Sequence, residues 1–416
     1  MSGTDPRSIP RCSFCDKSAR NVKTLVAGHR GVHICNECVA LCKDIVEEAP
    51  AAPSETLTFG DMRPRAIRAW LDEHIIGQPR AKIGMSVAVY NHFKRIRDKE
   101  DPSASDDRTE LSKGNILLIG PTGTGKTLFA RTLARRLGVP FTIADATTLT
   151  EAGYVGEDVE SIVKNLWLAA GKDAELAGKG IVCIDEIDKI ARAGGSSSSV
   201  RDVGGEGVQQ ALLKIIEGQK VSFQPDGARG RPQTESVEVD TTNILFVCAG
   251  AFDGLAEIVQ RRSAQSKIGF GAREEVAKAK EDALHKVRAE DLVKFGLIPE
   301  LIGRIPMMIS LDELTEDELL EVLWKPRNAI LKQYERLLEL QGVKLTFQED
   351  AMRAIVQRAI SRKSGARGLR AIVEEIMLDV MYEIPSRPEI GEVIITAESI
   401  RDKKAPILRP RETSAA

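Results

Sequence analysis

The chain has 416 residues, 42% of them hydrophobic and 29% charged, the make-up of a globular protein with a buried core. A formal net charge of −2 gives no overall attraction to nucleic acid or anionic membranes, and aromatics at 4% are poor material for base-stacking platforms. The longest apolar runs, such as "NILLIG" and "NILFVCAGAF", are too short to span a bilayer, and "MSGTDPRSIPR" lacks the apolar stretch of a secretory signal, so the expected compartment is the cytoplasm.

The length suggests about three domains, and cysteine usage marks the first, over 11–50. Cys12-Ser-Phe-Cys15 and Cys35-Asn-Glu-Cys38 are two C-x2-C pairs separated by 19 residues. Four thiolates at this spacing suit one tetrahedral zinc. So short a unit builds too little core to fold alone, and a metal supplies what is missing. Disulfides are the alternative, but they fit a cytoplasmic chain poorly; a redox site needs one pair, not two. With four sulfur ligands the centre would be structural, with no open position for catalysis. His29 and His33, between the pairs, could substitute as ligands, although four cysteines make that unnecessary. Cys183 and Cys248 lie in apolar strand-like runs and read as small buried thiols.

The Pro- and Ala-rich stretch "EEAPAAPSET" leads into a linker over 51–62. From 63 to 312 apolar strands alternate with amphipathic helices. Strand candidates are 116–119, 141–144, 181–184 and 244–248. The pattern predicts an α/β fold, a parallel sheet with helices on both faces. Two polar segments interrupt it, 98–114 and the Gly/Ser-rich 192–207.

"GPTGTGKT" follows the first of these strands and opens a helix. It fits the phosphate-loop pattern G-x-x-x-x-G-K-[ST] in its required strand–loop–helix context. The loop Gly120, Pro121, Thr122, Gly123, Thr124 and Gly125 would close around phosphates with the backbone N–H groups of all but Pro121, and the helix N-terminus, running into Leu128, adds positive potential. Lys126 would reach the β- and γ-phosphates of ATP and Thr127 would bind Mg2+. The alternative is a chance Gly-rich turn. "IVCIDEID" is an apolar strand ending in carboxylates: Asp185 is expected to hold Mg2+ and Glu186 to polarise the attacking water. Alone, such acids would read as a solvated strand end.

Two arginines stand out. Arg304 sits among apolar residues in "LIGRIP", and Arg367 falls at a helix start in "GARGLR". Phosphoryl transfer needs cations around the γ-phosphate, one of which can come from a neighbouring subunit; salt-bridged surface arginines are the alternative. In "EAGYVGED" Tyr154 and Val155 lie between two glycines with acidic flanks, an aromatic held out on a loose, water-facing segment. In "SKIGFGA" Ile268 and Phe270 flank Gly269 within a polar stretch. They form either an isolated pair tucked into the core or an apolar loop tip open to a partner.

Residues 313–400 read as a smaller, mainly helical part. Thr315 and Glu318 form a capping box ahead of "LLEVLW". "PRNAILKQYERLLELQG" carries Pro at a helix start and Gly past its end. Two further helices follow, with strands at "KLTF" and "EVIIT". Residues 401–416 read as a tail, disordered from about Pro406.

The cysteine pairs, "GPTGTGKT", "GYVGED", "IDEIDK", "RDVGGEGVQQALLK", "IGFGA", "LIPELIGRIP" and "GARGLR", in this order, resemble the ClpX family, AAA+ unfoldases that feed substrates to the ClpP peptidase. The resemblance covers about 11–400 and implies a homohexameric ring driven by ATP, unfolding protein substrates alone or with ClpP. It implies that Arg304 is an arginine finger acting in trans and Arg367 a sensor arginine between the two subdomains. Ile75 and Ile76 of "HIIGQ" would contact adenine. Tyr154 and Val155 would be a pore loop gripping substrate, Arg201 would lie in a second pore loop, and Ile268-Gly269-Phe270 would dock in ClpP. Adaptors would bind the zinc unit. Two departures stand against the family pattern: "ARGRP" replaces an Arg-Lys-His loop at the pore mouth, and "CAGAF" offers no polar sensor side chain after the fourth strand.

The competing classes are a zinc-bearing nucleic-acid ATPase and a self-contained protease. Charge and aromatic content count against the first. The sequence has no H-E-x-x-H or G-x-S-x-G motif, so peptide cleavage is expected from a partner.

Overall fold

A computed structural model describes residues 10–28, 32–39, 63–100, 109–150, 157–192, 205–224, 236–264, 283–362 and 365–411. The chain divides into two compact units near residue 57. In the first, β1 (Leu25–Ala27) pairs antiparallel with β2 (His33–Cys35). Its buried centre consists of Cys12, Cys35 and Cys38, with Val22, Leu25 and Ile34 packed around them.

The second unit begins with α1 (Pro64–His74) and α2 (Pro79–Glu100), then β3 (Ile116–Ile119), α3 (Lys126–Leu137) and β4 (Phe141–Asp145). A short pair, β5 (Leu149–Thr150) with β6 (Glu157–Asp158), precedes α4 (Glu160–Ala169), α5 (Ala174–Ala177) and β7 (Ile181–Asp185). Next come α6 (Glu206–Glu217), the hairpin β8 (Lys220–Phe223) and β9 (Val237–Asp240), β10 (Leu245–Gly250), α7 (Leu255–Ala264), α8 (Ala289–Phe295), α9 (Pro299–Gly303) and β11 (Met307–Ser310). The central sheet runs β11-β3-β10-β7-β4, every pair parallel.

Both faces of a parallel sheet are covered, and residues alternate between them. Ile116, Leu118, Ile181, Cys183, Leu245 and Val247 face one core, which α1, α2 and α3 close with Leu71, Met85, Val89, Phe129 and Leu133. Leu117, Ile119, Val182, Ile184, Phe246 and Cys248 face the other, closed by Val163, Leu166, Leu212 and Ile216 of α4 and α6. The expected α/β sheet is therefore present. All four expected strands are found, and β11 is an addition at the sheet edge.

The smaller part contains α10 (Glu316–Trp324), α11 (Ile330–Glu339), β12 (Lys344–Phe347), α12 (Glu349–Ser361), α13 (Gly365–Glu383), β13 (Ile390–Ile395), α14 (Ala397–Arg401) and β14 (Ile407–Pro410). The capping box forms: Thr315 Oγ1 accepts from Glu318 N at 3.2 Å, and Thr315 N donates to Glu318 Oε2 at 2.9 Å. Two expectations are corrected. Pro326 does not open α11; it belongs to the turn before it, with Ala329 N bonded to Pro326 O at 3.1 Å. The chain beyond Pro406 is not wholly a tail either, because β14 pairs antiparallel with β13.

The start of this unit reaches the smaller part, where Arg327 N donates to Glu73 O at 2.8 Å, and the end of the larger part. Gln78 Nε2 donates to Asp312 O at 2.7 Å and Gln78 Oε1 accepts from Asp312 N at 3.0 Å. A Cβ on Gly77 would meet Glu318 Oε1 of α10 at 2.3 Å. "HIIGQ" therefore leans on the segment that joins the parts.

Candidate functional site

In the first unit the four cysteine sulfurs all lie within 4.8 Å of one another. Cys12 Sγ and Cys38 Sγ are 3.9 Å apart, and Cys15 Sγ and Cys35 Sγ 3.6 Å. Tetrahedral zinc with bonds of about 2.3 Å needs sulfurs about 3.8 Å apart, whereas a disulfide needs about 2.05 Å. The set fits zinc. Backbone N–H groups of Cys35 and Cys38 point to Cys12 Sγ at 3.3 Å and Cys35 Sγ at 3.5 Å, where they offset thiolate charge. His33 is not one of this group; His29 lies outside the described residues.

The nucleotide candidates converge at the C-terminal ends of the sheet strands, where open α/β sheets bind ligands. Gly125, at φ +94°, caps the start of α3 in the left-handed region that glycine tolerates. A Cβ on Gly120 would come 2.6 Å from Leu311 O, so the loop's first glycine permits close passage of the β11 end. Lys126 Nζ donates to Gly120 O at 2.6 Å and Pro121 O at 2.9 Å, and Thr124 Oγ1 to Pro121 O at 2.9 Å. Burial holds the Lys126 ammonium below its ordinary range; Asp185 and Asp188 oppose that shift and Arg367 adds to it. Thr127 Oγ1 donates to Asp185 Oδ2 at 2.7 Å, which brings together the hydroxyl and carboxylate expected to share a divalent cation. Glu186 follows at φ +57°, strained for a residue with a side chain, and its N–H bonds Asp185 Oδ1 at 3.0 Å.

A cavity of about 410 Å³ is lined by Thr122, Gly123, Gly125, Lys126, Thr127, Leu128, Asp185 and Glu186, and by Arg367 from the start of α13. Gly365, at φ +54°, lets α13 approach until a Cβ there would stand 3.2 Å from Thr122 O. A second cavity of about 350 Å³ shares Gly123, Gly125 and Leu128 with the first and continues past Thr124 to Ile75 and Ile76, both buried. The first end gathers the Lys126 ammonium with the Asp185 and Glu186 carboxylates, which suits phosphates and a cation; the second sets Ile75, Ile76, Leu314 and Ile330 beside Arg131, Arg135 and Gln333, which suits a base with polar edges.

Arg304 is not brought to either cavity. It caps α9, is largely exposed, and pairs with Glu217 at 2.8 Å. Tyr154, Val155, Arg201, Arg229, Gly230, Arg231, Ile268, Gly269 and Phe270 lie outside the described residues. Sequence reasoning missed Asp188, Lys189, Asp253 and Arg370 on the polar cavity, and His74, Leu314, Val322, Ala329 and Ile330 on the apolar one. A third carboxylate in "IDEID" was a signal for Asp188; the apolar wall assembles only in three dimensions.

Family comparison agrees with this layout. Residues 111–308 match the AAA domain (Cdc48 subfamily). Residues 314–396 match the C-terminal, D2-small domain of ClpB protein. Residues 10–48 match the ClpX C4-type zinc finger. The AAA match supports nucleotide binding and ATPase activity, and among the described residues no helix is long and apolar enough to cross a membrane. A large and a small ATPase domain in succession define only a broad class; with the four-cysteine finger ahead of them, the chain belongs to the ClpX-type AAA+ proteins.

Proposed function

We propose that this chain is an ATP-driven protein unfoldase and translocase. It works as a homohexameric ring in the cytoplasm, threads substrates through its pore into the ClpP peptidase, and acts alone as a chaperone. The observation that carries this reading is the composition of the polar cavity: the phosphate loop and acidic strand come from the larger part, while Arg367 comes from the smaller. A site closed by both parts can convert a change at the nucleotide into a change of their angle.

In this reading Lys126 binds the β- and γ-phosphates, and Thr127 and Asp185 are the donors for an accompanying Mg2+. Glu186 takes a proton from water as its oxygen attacks the γ-phosphorus; the bond to the bridging oxygen breaks, and ADP and phosphate leave. Ile75 and Ile76 hold the base, and Arg367 senses the phosphates. Arg304, exposed and away from its own cavity, is available to a neighbouring subunit's site. Tyr154, Val155 and Arg201 grip substrate in the pore, Ile268-Gly269-Phe270 docks on ClpP, and the zinc unit receives adaptors and substrates. Peptide cleavage belongs to the partner.

The test compares the wild-type chain with Glu186→Gln in ATP turnover and in unfolding of a stable tagged protein, with and without ClpP. Wild type is expected to unfold the substrate with ATP and to degrade it only with ClpP. Glu186→Gln is expected to bind ATP yet lose about 100-fold or more in turnover. ATPase stimulation by DNA but not by unfolded protein would reject the reading.

A further inference from the structure

"CAGAF" offers no polar side chain where the fourth strand, β10, runs out beside the phosphate loop, yet a buried carboxylate lies directly under it. Asp188 has a side chain only 3% exposed, and its Oδ1 accepts the backbone N–H of Ala251 at 3.1 Å. The other half of the same peptide is also held: Gly250 O accepts from Gly120 N, the first glycine of the phosphate loop, at 3.3 Å. One peptide plane thus bridges the phosphate loop and the acidic strand. Space around it is closed, since a Cβ on Gly250 would stand 2.5 Å from Asp188 Oδ1 and 2.7 Å from the Phe252 ring.

Asp188 belongs to the single 3-10 turn Ile187–Ile190, which Glu186 opens. Lys189 N closes that turn on Glu186 O at 2.9 Å. The turn is anchored at its far end by Gln209 Nε2, which donates to Ile190 O at 2.8 Å, and by the buried Ile187 and Ile190; on the β10 side it is anchored by the Asp188 side chain. Lys189 Nζ lies 3.5 Å from Asp188 Oδ2 and is half-exposed, so it screens the buried charge weakly. The N–H bond at 3.1 Å and the Lys189 ammonium are the carboxylate's two partners among the described residues, which offset part of the cost of burying it.

We propose that Asp188 is a positioning residue for ATP hydrolysis: by holding the Gly250–Ala251 peptide it fixes the turn that carries Glu186 and keeps the acidic strand in register with the phosphate loop. Although Asp188 also lines the polar cavity, its bonded oxygen is turned to the β10 peptide, and its role is exerted through Glu186. It takes over, through a backbone peptide, the alignment that a polar side chain after β10 would give. This rests on the ATPase reading above, with Glu186 as the water-activating group.

Removing the anchor leaves the nucleotide's own ligands in place but lets Glu186 drift, and displacements of about 1 Å cost up to about 100-fold in rate. Asp188→Ala is therefore expected to lower kcat at least about tenfold, with KM for ATP and the number of ATP sites per chain held within about twofold. Asp188→Asn retains an oxygen acceptor for the Ala251 N–H and is expected to rescue most of that loss. Gly250→Ala strains the same peptide from its other side and is expected to lower kcat as Asp188→Ala does. This variant decides the matter if Asp188→Ala does not fold. Normal kcat in Asp188→Ala or Gly250→Ala, a loss confined to KM, or an Asn variant as impaired as the Ala one overturns the proposal. Glu186→Gln, measured alongside, separates the two failures. If it hydrolyses ATP normally, the site reading falls. If it is inactive while Asp188→Ala is normal, only the positioning role falls.

Discussion

The two units of this chain are held by different forces. Among its described residues the first has three buried at its centre, all cysteines, while Phe14, Val26 and Val32 remain substantially exposed. The second buries continuous apolar cores on both faces of its sheet and a third in its smaller part. In the first unit, with zinc on the four cysteines, the attraction would be concentrated in four metal–sulfur bonds; in the second it is spread over dozens of side chains. A fold of the first kind can be removed by one chelator, and a fold of the second kind erodes one methyl at a time.

Zinc removal is the largest way to break that comparison. Stripping the metal, or Cys35→Ser, is expected to unfold residues 10–39 outright, since structural zinc contributes about 10 kcal/mol or more. ATP binding by the second unit is expected to persist. Zinc content, limited proteolysis and nucleotide binding on one sample check this, and a protease-resistant first unit without metal would end the contrast.

Ile372→Ala addresses the other side. Ile372 is fully buried on α13 among Leu323, Leu338, Ile355 and Val393. The expected loss is about 2–5 kcal/mol by urea denaturation, indifferent to chelator. A loss below about 1 kcal/mol would mean that the core is not packed as described.

A smaller effect, per pH unit, comes from buried basic side chains in the second unit. His92 Nε2 bonds Asn243 O, Arg95 Nη2 bonds Thr242 O, and Lys113 Nζ bonds Thr241 O, all where the chain enters β10. Burial, then Arg95 and Lys113, hold His92 down to about 3. Burial, then Arg95, hold Lys113 down to about 7 against the pull of Asp240. In each case the unfolded chain keeps a proton that the folded one has shed. Stability therefore rises with pH from about 3 to the ordinary histidine value near 6.5, and again from about 7 to the ordinary lysine value near 10.5. His92→Phe is expected to flatten the first slope and Lys113→Met the second, read as denaturation midpoints across pH. Unchanged slopes would show that neither group titrates from a buried state.

What could be read in advance divides along physical lines. The phosphate loop, the acid pair and the cysteine pairs were legible because each needs fixed residue types at fixed spacing. Strands β3, β4, β7 and β10 were legible as apolar runs. β11 escaped because "MMIS" is only four residues long, has no alternating pattern and follows a proline. β14 escaped because Pro406 and Pro410 frame it and all its residues are exposed; pairing with β13, not burial, makes it a strand. The apolar wall of the second cavity joins residues about 250 positions apart, His74 and Ile330 among them. No local signal encodes such a meeting. Asp188 was quoted but given no role, since its partner is a backbone N–H 63 residues further on.

The last strand has a consequence for where the folded chain can be cut. β14 carries Arg409 and Pro410, with Arg411 next, on the outside of a three-stranded sheet, and Arg409 ties it to Glu392 at 3.1 Å. Behind it lies β13, with Ile390, Val393, Ile394 and Ile395 buried. A chain ended at residue 401 would keep every helix of the smaller part and still bare one whole ladder of β13 donors and acceptors. A bare ladder is a template for another chain, and proline with like charges is what ordinarily deters such pairing. The ten or so residues after α14 thus act as a selvedge, the woven border that keeps a fabric from unravelling into its neighbour.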